Sequence, residues 1–400
     1  MSAPTRVLVV GASAAGLATA EALRRKGYGG ALTLLGAEPH APYDRPPLSK
    51  QVLRGDWEPG RSRLRAPEAL AALDADLLLG DPAVALSPAD RAVRTASGRE
   101  LGADVVVVAT GVRPRTLPGQ AGLAGAHVLR TLDDALALRA DLLAARRVVV
   151  VGDGVLGAEA AATARALGRA VTLVGPQRAP LEARLGPVPA ALLARLHAEQ
   201  GVDLRPGAAV RGLAGRGGRV TGVRLASGEE LPADTVVVAV GSAPATEWLA
   251  GSGLRVDDGL VCDSRCRAAE GVYAAGDVAR WHHEGLGGLL RLENRTNATE
   301  QAAAVAGNVL GADRPYTPVP FLWTDQFATK VQVYGVPAPE DVLTVVEGDP
   351  AGGRFVALYH RDGTATGVLG WNMPKQARAH RREVADALSS PSPSPAPADR

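Results

Sequence analysis

The sequence predicts an α/β fold with two parallel-sheet units and a smaller α+β domain at the C-terminal end. Two continuous apolar runs, Arg6–Val10 and Arg147–Val151, each lead into a glycine-rich turn, a helix-patterned stretch and another apolar run. Continuous rather than alternating hydrophobicity indicates parallel strands that are covered on both faces. From about Arg314 the pattern changes to alternating strands, such as 330–334 and 355–359, which is typical of a separate α+β domain.

The turn in each unit has the glycine pattern of a dinucleotide-binding site. Such glycines allow a tight turn and a close approach of the backbone to a pyrophosphate, and the N-terminus of the next helix attracts the anion. The first motif is G-x-S-x-x-G, with a serine at the usual second glycine, and the second motif is complete. The motif residues are Gly11, Ser13 and Gly16 in the first unit, and Gly152, Gly154 and Gly157 in the second. Two such motifs in one chain predict two Rossmann-like domains and two bound dinucleotides.

The order of the apolar segments indicates a first domain that is interrupted by the second. Similar strands and turns follow the two units at 104–111 and 234–241, and a further apolar segment leads to Asp277. We expect a first dinucleotide-binding domain at 1–112 and 242–312, a second at 113–241, a C-terminal domain at 313–388 and a disordered Pro/Ser tail at 389–400.

The composition excludes several classes of protein. The chain has 400 residues, 22% of them charged, and a net charge of +2 without a basic block, which argues against a nucleic-acid binder. Its two cysteines cannot supply the ligands of an iron–sulfur cluster, and no metal-ligand cluster is found, so we expect no metal. The N-terminus lacks the layout of a signal peptide, and no apolar stretch has the roughly eighteen residues of a membrane helix. We therefore expect a cytoplasmic protein that does not bind a membrane.

Four segments resemble one family of flavoproteins. They are 42–50 (Pro-Tyr-Asp-Arg-Pro-Pro-Leu-Ser-Lys), the turns at 109–111 and 276–277, and 321–326 (Phe-Leu-Trp-Thr-Asp-Gln). In this order they resemble the FAD-dependent NAD(P)H:ferredoxin reductases of oxygenase systems. These are the putidaredoxin, rubredoxin and biphenyl-dioxygenase reductase type, within the glutathione-reductase-like flavoprotein superfamily. The resemblance covers about residues 5–380.

The resemblance implies an enzyme with FAD on the first unit, NADH or NADPH on the second, and a C-terminal domain that closes over the flavin. Hydride would pass from NAD(P)H to FAD, and single electrons would then pass to a small ferredoxin- or rubredoxin-type iron–sulfur protein that serves an oxygenase. Three alternatives stay open: an NAD(P)H oxidase-type flavoenzyme that uses oxygen directly, the NADH-binding side of a nitrite reductase, and a redox-sensing binding protein like the apoptosis-inducing factor. The choice between a monomer and a homodimer also stays open.

The resemblance also assigns roles to individual residues. Lys50 would lie near the flavin N5 atom and Glu159 near the nicotinamide carboxamide, and we expect these two catalytic candidates to pair. In the FAD site, the pyrophosphate would be held by Gly11, Ser13 and Gly16, and the phosphate region would be reached by Arg130. Glu38 would bind the ribose and Asp277 the ribityl chain. Arg45 would line the flavin, and Trp323 would lie beside its isoalloxazine ring. The other cofactor-binding candidates are Val84, Ala109, Gly111, Arg295, Gly152, Gly154, Val155, Leu156, Gly157, Arg178 and Gly241.

The chemistry of these residue types agrees with such roles. A cation at Lys50 can stabilise the negative charge of a reduced flavin, and a carboxylate at Asp277 can accept hydrogen bonds from a polyol. Ordinary structural roles stay open beside these: Lys50 as a surface cation, Trp323 as core packing, and Glu159 as an acid that favours its helix dipole. Glu38 is equally compatible with a solvated position in a loop.

The sequence departs from the family pattern at two positions, Gly175 and Arg295. Gly175 stands where the second unit usually has a ribose-binding acid. We therefore expect nothing there to repel a 2′-phosphate, and Arg178 could attract one, although a solvated surface role for Arg178 is as well supported. The local residues thus favour NADPH, whereas the family favours NADH, and the preference stays open. Arg295 stands where relatives often have an aromatic residue next to the flavin.

The cysteines and histidines complete the sequence-based expectations. Residues 12–60 contain no cysteine, so the redox-active pair of the disulfide reductases is missing from its usual place. Cys262 and Cys266 lie far downstream, in a strand or turn, and we expect them to be inert. Electrons must then leave the flavin for an external acceptor. We expect His282 and His283 to lie on the surface.

Overall fold

The computed structural model describes residues 4–389, and it confirms the predicted α/β class with two parallel-sheet units and a C-terminal domain. The predicted tail at 389–400 lies outside the described residues, except for Ser389, which ends the last helix. No helix in this part of the chain is long and apolar enough to cross a membrane. The same residues contain no group of His, Cys, Asp or Glu side chains that could hold a metal ion.

The first unit is built on a six-stranded sheet. Its central strand, Arg6–Val10, is buried after the first residue and pairs in parallel with Ala31–Gly36 and Val105–Val108, which explains the continuous apolar runs. Across the sheet, the strands are Arg267–Ala269, Val272–Ala274, Val105–Val108, Arg6–Val10, Ala31–Gly36 and Asp76–Leu79. Helix Ala14–Arg25 packs on this sheet and against helix Arg295–Val309. The sheet therefore combines segments that lie on both sides of the second unit in the sequence.

Smaller elements surround this sheet. One antiparallel sheet contains Ala83–Ser87, Ala92–Thr95 and Glu100–Gly102, and a second small sheet contains Leu260–Cys262, Ala279–His283 and Gly288–Leu290. The short helices are Pro46–Ser49, Gln51–Arg54, Pro59–Ser62, Pro67–Ala71, Glu247–Leu249 and Glu284–Leu286.

The second unit repeats the architecture with a five-stranded parallel sheet. Across the sheet, the strands are Asp203–Arg205, Ala170–Val174, Arg147–Val151, Thr235–Val238 and Ala126–His127. The helices of this unit are Leu132–Ala144, Val155–Ala166, Glu182–Leu185 and Pro187–Glu199, and an antiparallel sheet adds Val210–Arg216, Arg219–Leu225 and Glu230–Pro232. Strand Val112–Pro114 pairs with Ser242–Pro244, so the two connections between the units run side by side.

The C-terminal part is an antiparallel five-stranded sheet with one long helix. Across the sheet, the strands are Phe321–Gln326, Thr329–Gly335, Thr364–Trp371, Arg354–Arg361 and Val342–Asp349, and helix Pro374–Ser389 packs on it. Apolar side chains of this sheet share one buried cluster with Leu181, Leu185 and Leu193 of the second unit. This packing brings the edge strand Phe321–Gln326 against helix Val155–Ala166.

One sequence-based expectation about the histidines is wrong. His282 is exposed, but His283 is fully buried, because alternate residues of strand Ala279–His283 face opposite sides. Its ring accepts a hydrogen bond from the Leu286 amide and contacts the Pro318 carbonyl at 2.8 Å. His283 therefore has a structural role at the end of that strand.

Candidate functional site

The first glycine turn leaves no room for side chains. Gly11 has a φ of +118°, and a Cβ atom on it would stand 2.1 Å from the Ala109 carbonyl oxygen. A Cβ atom on Gly16 would stand 1.7 Å from the Gly11 carbonyl oxygen. The strand, the turn and the first helical turn are thus in direct backbone contact, which only glycine permits. Ala109, a cofactor-binding candidate, forms one wall of this turn.

The second glycine turn has the same construction. Gly152 has a φ of +112°, and its Cβ would stand 2.2 Å from the Ala239 carbonyl oxygen, while that of Gly157 would stand 1.8 Å from the Gly152 carbonyl oxygen. No atom lies within 4 Å of the Cβ position at Gly154. The space in front of this turn is therefore open, as a dinucleotide requires.

Both helices that follow the turns lack a side-chain cap. Ser13 and Gly154 are the N-cap residues of Ala14–Arg25 and Val155–Ala166, and neither makes a side-chain capping hydrogen bond. The first amide groups of each helix are therefore available to an anion. Val155 and Leu156 are the first two residues of the second of these helices. These observations fit a pyrophosphate at each turn.

A network of polar side chains lies beside the first turn. Arg45 Nη2 is 2.6 Å from Glu38 Oε1, and the Tyr43 hydroxyl donates to the other Glu38 oxygen. Arg45 Nη1 donates to the Arg130 carbonyl at 2.6 Å, and Arg130 Nη2 lies 3.3 Å from Asp277 Oδ2. Four of the sequence-predicted FAD residues therefore meet in one connected group, and Tyr43 joins them.

This network contains donors and charges that a ligand can use. The Nε atom of Arg45 is buried and has no hydrogen-bond partner. Burial raises the pKa of the Asp277 carboxyl, an effect that the neighbouring Arg130 opposes. Burial, together with the nearby Arg45 cation, lowers the pKa of Arg130. An orphaned guanidinium donor on Arg45 beside a second arginine, together with the carboxylates of this network, fits a ligand that has phosphate and hydroxyl groups, as FAD does.

The expected pair of Lys50 and Glu159 forms at the centre of the molecule. Lys50 Nζ lies 2.7 Å from Glu159 Oε2, and the side chains are only 12% and 5% exposed. Ser49 Oγ donates to the same carboxylate oxygen at 2.6 Å, while Thr324 Oγ1 donates to Oε1 at 2.9 Å and the Asp325 amide to Oε1 at 3.3 Å. Glu159 thus accepts hydrogen bonds from the 42–50 loop and from the C-terminal domain.

Trp323 adds an aromatic ring to this cluster. Its ring centroid is 4.8 Å from Lys50 Nζ, a distance that allows a cation–π contact. The side chain is half-buried and lies outside the buried apolar clusters, so plain core packing does not describe it. Burial raises the pKa of Asp325, although the nearby Lys50 and Lys330 cations act to lower it. The cluster therefore presents a fixed cation and an aromatic ring together.

The remaining candidate residues take no part in the hydrogen bonds described above. Arg295 Nε contacts Asp44 Oδ1 at 2.6 Å, which ties the start of its helix to the 42–50 loop. Gly111 and Gly241 have φ values of +70° and +92° at the ends of equivalent strands. Val84 is 43% exposed. Arg178 is exposed, and its amide donates to Glu182 Oε2 at 3.0 Å.

The expectation that no carboxylate lies at Gly175 is wrong. A Cβ atom on Gly175 would stand 2.2 Å from Asp153 Oδ2, because the Asp153 side chain occupies that space. Asp153 is the variable residue between the first two glycines of the second motif, and its sequence position alone does not reveal where its side chain lies. The sequence-based reasoning also missed Tyr43, Ser49 and Thr324, although all three lie within the segments that carry the resemblance.

Comparisons with known proteins agree with this geometry. Residues 5–302 match the family described as pyridine nucleotide-disulphide oxidoreductase, and residues 321–397 match the family described as reductase C-terminal. The probable ferredoxin reductase CtmF of Castellaniella defragrans is 37% identical over 389 residues, which is 96% of this chain and 94% of that protein. The ferredoxin–NAD(+) reductase component of the anthranilate 1,2-dioxygenase system of Burkholderia cepacia is 38% identical over 398 residues, which is 98% of this chain and 97% of that protein.

Solved structures give the same result. The reductase in the covalent putidaredoxin reductase–putidaredoxin complex superimposes with a TM-score of 0.91 at 33% identity, over 96% of this chain and 94% of that one. The predicted resemblance is thereby confirmed, and the family supports FAD and NAD(P)H as the cofactors. The described geometry and these matches together show that the chain belongs to the pyridine nucleotide-disulphide oxidoreductase family and has the reductase C-terminal domain.

Proposed function

We propose that this chain passes hydride from NAD(P)H to FAD and then passes single electrons to a small ferredoxin- or rubredoxin-type iron–sulfur protein that serves an oxygenase. FAD, when bound, supplies the ability to take up a hydride and to release electrons singly. The observation that carries the proposal is the cluster of Lys50, Glu159 and Thr324, in which both dinucleotide units and the C-terminal domain meet. Two relatives support the choice of acceptor, one named a probable ferredoxin reductase and one named a ferredoxin–NAD(+) reductase component of a dioxygenase system.

We assign the two cofactors to the two glycine turns. The first turn and the network of Glu38, Arg45, Arg130 and Asp277 would hold FAD, because hydroxyl-binding carboxylates and phosphate-binding arginines are found together there. The second turn would hold NAD(P)H. This assignment corresponds to an FAD domain at 1–112 and 242–312, an NAD(P)H domain at 113–241 and a C-terminal domain at 313–388.

In the reaction, Lys50 acts as a fixed positive charge. Glu159 holds its ammonium group at 2.7 Å, so the cation would be in place to stabilise negative charge on FAD bound at the first turn. The Trp323 ring lies over the same ammonium group, and the Lys50 side chain is only 12% exposed. Glu159 itself is oriented by Ser49 and Thr324, and it would bind the nicotinamide side of the cleft.

The cysteines favour an external electron acceptor. Cys262 and Cys266 are free and buried, and burial raises the pKa of Cys266 to about 12. Both thiols would thus stay protonated and unreactive, which argues against electron transfer through a dithiol. Free thiols and the use of NAD(P)H also support a cytoplasmic location for the protein.

The test is an absorbance spectrum of the purified protein, followed by anaerobic titration with NADH and NADPH. We expect a bound flavin that bleaches with at least one of the two nucleotides. The reduced protein should then reduce cytochrome c only when a ferredoxin-type carrier is added, and this rate should fall with ionic strength if charge steers the carrier.

Colourless protein that cannot be reconstituted with FAD would refute the proposal. Rapid oxygen uptake without a carrier would favour the oxidase, and slow reduction with a long-lived charge-transfer complex would favour the redox sensor.

A further inference from the structure

The second glycine turn contains a carboxylate in an unusual position. Strand Ala170–Val174 lies beside Arg147–Val151 in parallel register, with Val174 opposite Val151. The residues that follow these two strands are therefore close in space, and the Asp153 side chain reaches across to the backbone of Gly175. The distance from Asp153 Oδ2 to the Cβ position of Gly175 is only 2.2 Å. Asp153 thus fills the position from which a side chain on residue 175 would begin.

This arrangement exchanges the positions of an acid and a glycine. In dinucleotide-binding units, the acid at the end of the second strand accepts hydrogen bonds from the adenosine ribose. Here the end of that strand has Gly175, and the acid comes from the glycine motif instead. A side chain on residue 175 would collide with Asp153 in its present position, so the Asp153 side chain would have to move to make room for it. The negative charge that Gly175 cannot supply at the end of the second strand is therefore supplied by Asp153.

The hydrogen bonds of Asp153 fix its carboxylate but leave acceptor capacity. Oδ2 accepts from the Gln177 amide at 2.9 Å, and Oδ1 accepts from Gln177 Nε2 at 2.6 Å. An ionised carboxylate has about four acceptor positions, so roughly half remain for ligand hydroxyl groups. Both partners are neutral, and within residues 4–389 no arginine or lysine pairs with Asp153. Asp153 as a whole residue is only 7% exposed, so water screens its charge poorly.

We propose that Asp153 is the residue that recognises the adenosine ribose and that it makes this chain prefer NADH over NADPH. The inference rests on the proposed function, because it assumes that the second turn binds a pyridine nucleotide. The two ribose hydroxyls of NADH can donate to the carboxylate, whereas the 2′-phosphate of NADPH would bring further negative charge to an uncompensated anion. The nearby Arg178 is exposed, and its backbone amide donates to Glu182 Oε2 at 3.0 Å, which places a further carboxylate beside this residue.

The test compares the binding of two ligands that cannot transfer hydride. ADP-ribose and 2′-phospho-ADP-ribose are titrated into the flavin-loaded protein by isothermal calorimetry. The wild type should bind ADP-ribose at least about tenfold more tightly, which corresponds to about 1.4 kcal/mol. Asp153→Asn keeps the size of the side chain but removes its charge, and it should lower this ratio at least about tenfold. Glu199→Gln removes an exposed acid from helix Pro187–Glu199 and should leave the ratio unchanged.

A second set of variants tests the exchange of positions. Gly175→Asp alone should bind neither ligand well, because its side chain would compete with Asp153 for the same space and place two carboxylates together. The double variant Asp153→Gly with Gly175→Asp should recover the preference for ADP-ribose, since it returns the acid to the end of the strand. This variant also decides the matter if Asp153→Asn fails to fold.

Three results would separate the possible failures. A wild-type ratio near one, or a preference for the 2′-phosphate, would overturn the role of Asp153 while leaving the proposed function intact. An unchanged ratio in Asp153→Asn would do the same. Failure of the folded, flavin-loaded wild type to bind either compound would instead contradict the proposed function at its second nucleotide site.

Discussion

Removing the charge of Glu159 is expected to destabilise the central cluster strongly. Glu159 and Lys50 form a pair at 2.7 Å with side-chain exposures of only 5% and 12%, so solvent screens neither charge well. Removing one member of such a buried pair typically costs about 3–5 kcal/mol, because the other charge loses its partner. Glu159→Gln retains an oxygen for Thr324, so we expect the lower end, a loss of about 3 kcal/mol in the free energy of unfolding.

The assay is a double-mutant cycle on the flavin-loaded protein. Urea unfolding is followed by flavin fluorescence for wild type, Glu159→Gln, Lys50→Met and the double variant. Residues in direct contact give coupling energies of about 0.5–3 kcal/mol, and this buried pair should lie in the upper half of that range. Glu199→Gln is the matched control, because it breaks an exposed pair with Arg195 and should change stability by less than about 0.5 kcal/mol. If the two single losses simply add, the pair is not coupled and the reasoning is wrong.

Three further results are expected. Gly16→Ala should purify with little flavin, because its Cβ would stand 1.7 Å from a carbonyl oxygen, whereas Gly29→Ala, with no atom within 4 Å of its Cβ, should keep a normal absorbance spectrum. Burial lowers the pKa of His197 below 6.5, so His197 is protonated more readily in the unfolded chain than in the folded one. The free energy of unfolding therefore falls as the pH drops below about 6.5. His197→Gln should reduce this loss by up to about 1.4 kcal/mol per pH unit in urea unfolding between pH 7 and 5, and parallel profiles would contradict this role. Burial raises the pKa of Cys262 and Cys266, so a thiol reagent should label neither until the protein unfolds, and labelling of the folded protein would refute their inert role.

The strands and the glycine turns could be predicted from the sequence because each depends on a short run of neighbouring residues. A strand such as Arg6–Val10 reads as buried on both faces because every residue after Arg6 is apolar, and the structure buries all of them. The glycine turns were equally readable, since the tight contact at Gly11 excludes any side chain. The pairing of Lys50 with Glu159 is instead an expectation from the family resemblance, because no local pattern brings together two residues so far apart in the sequence.

The remaining features depend on contacts between distant segments. Thr324 reaches Glu159 only because the C-terminal sheet packs on the second unit, and no local pattern encodes that packing. The role of Asp153 was hidden for a similar reason, since its rotamer depends on the free space above Gly175. The burial of His283 was not predictable because it and the exposed His282 are adjacent in one strand, and the side that each faces depends on how that strand is placed in its sheet.

The saturation of Glu159 has a consequence for nucleotide binding. Its two oxygens accept from Ser49, Lys50, Thr324 and the Asp325 amide, which uses all of the roughly four acceptor positions of a carboxylate. A nicotinamide carboxamide that donates to Glu159 must therefore displace one of these donors. The Asp325 amide, at 3.3 Å, makes the longest of the four contacts and is the one most easily replaced. Because that amide belongs to strand Phe321–Gln326, a nucleotide that bound Glu159 in this way would couple its entry to the position of the C-terminal strand that carries Trp323.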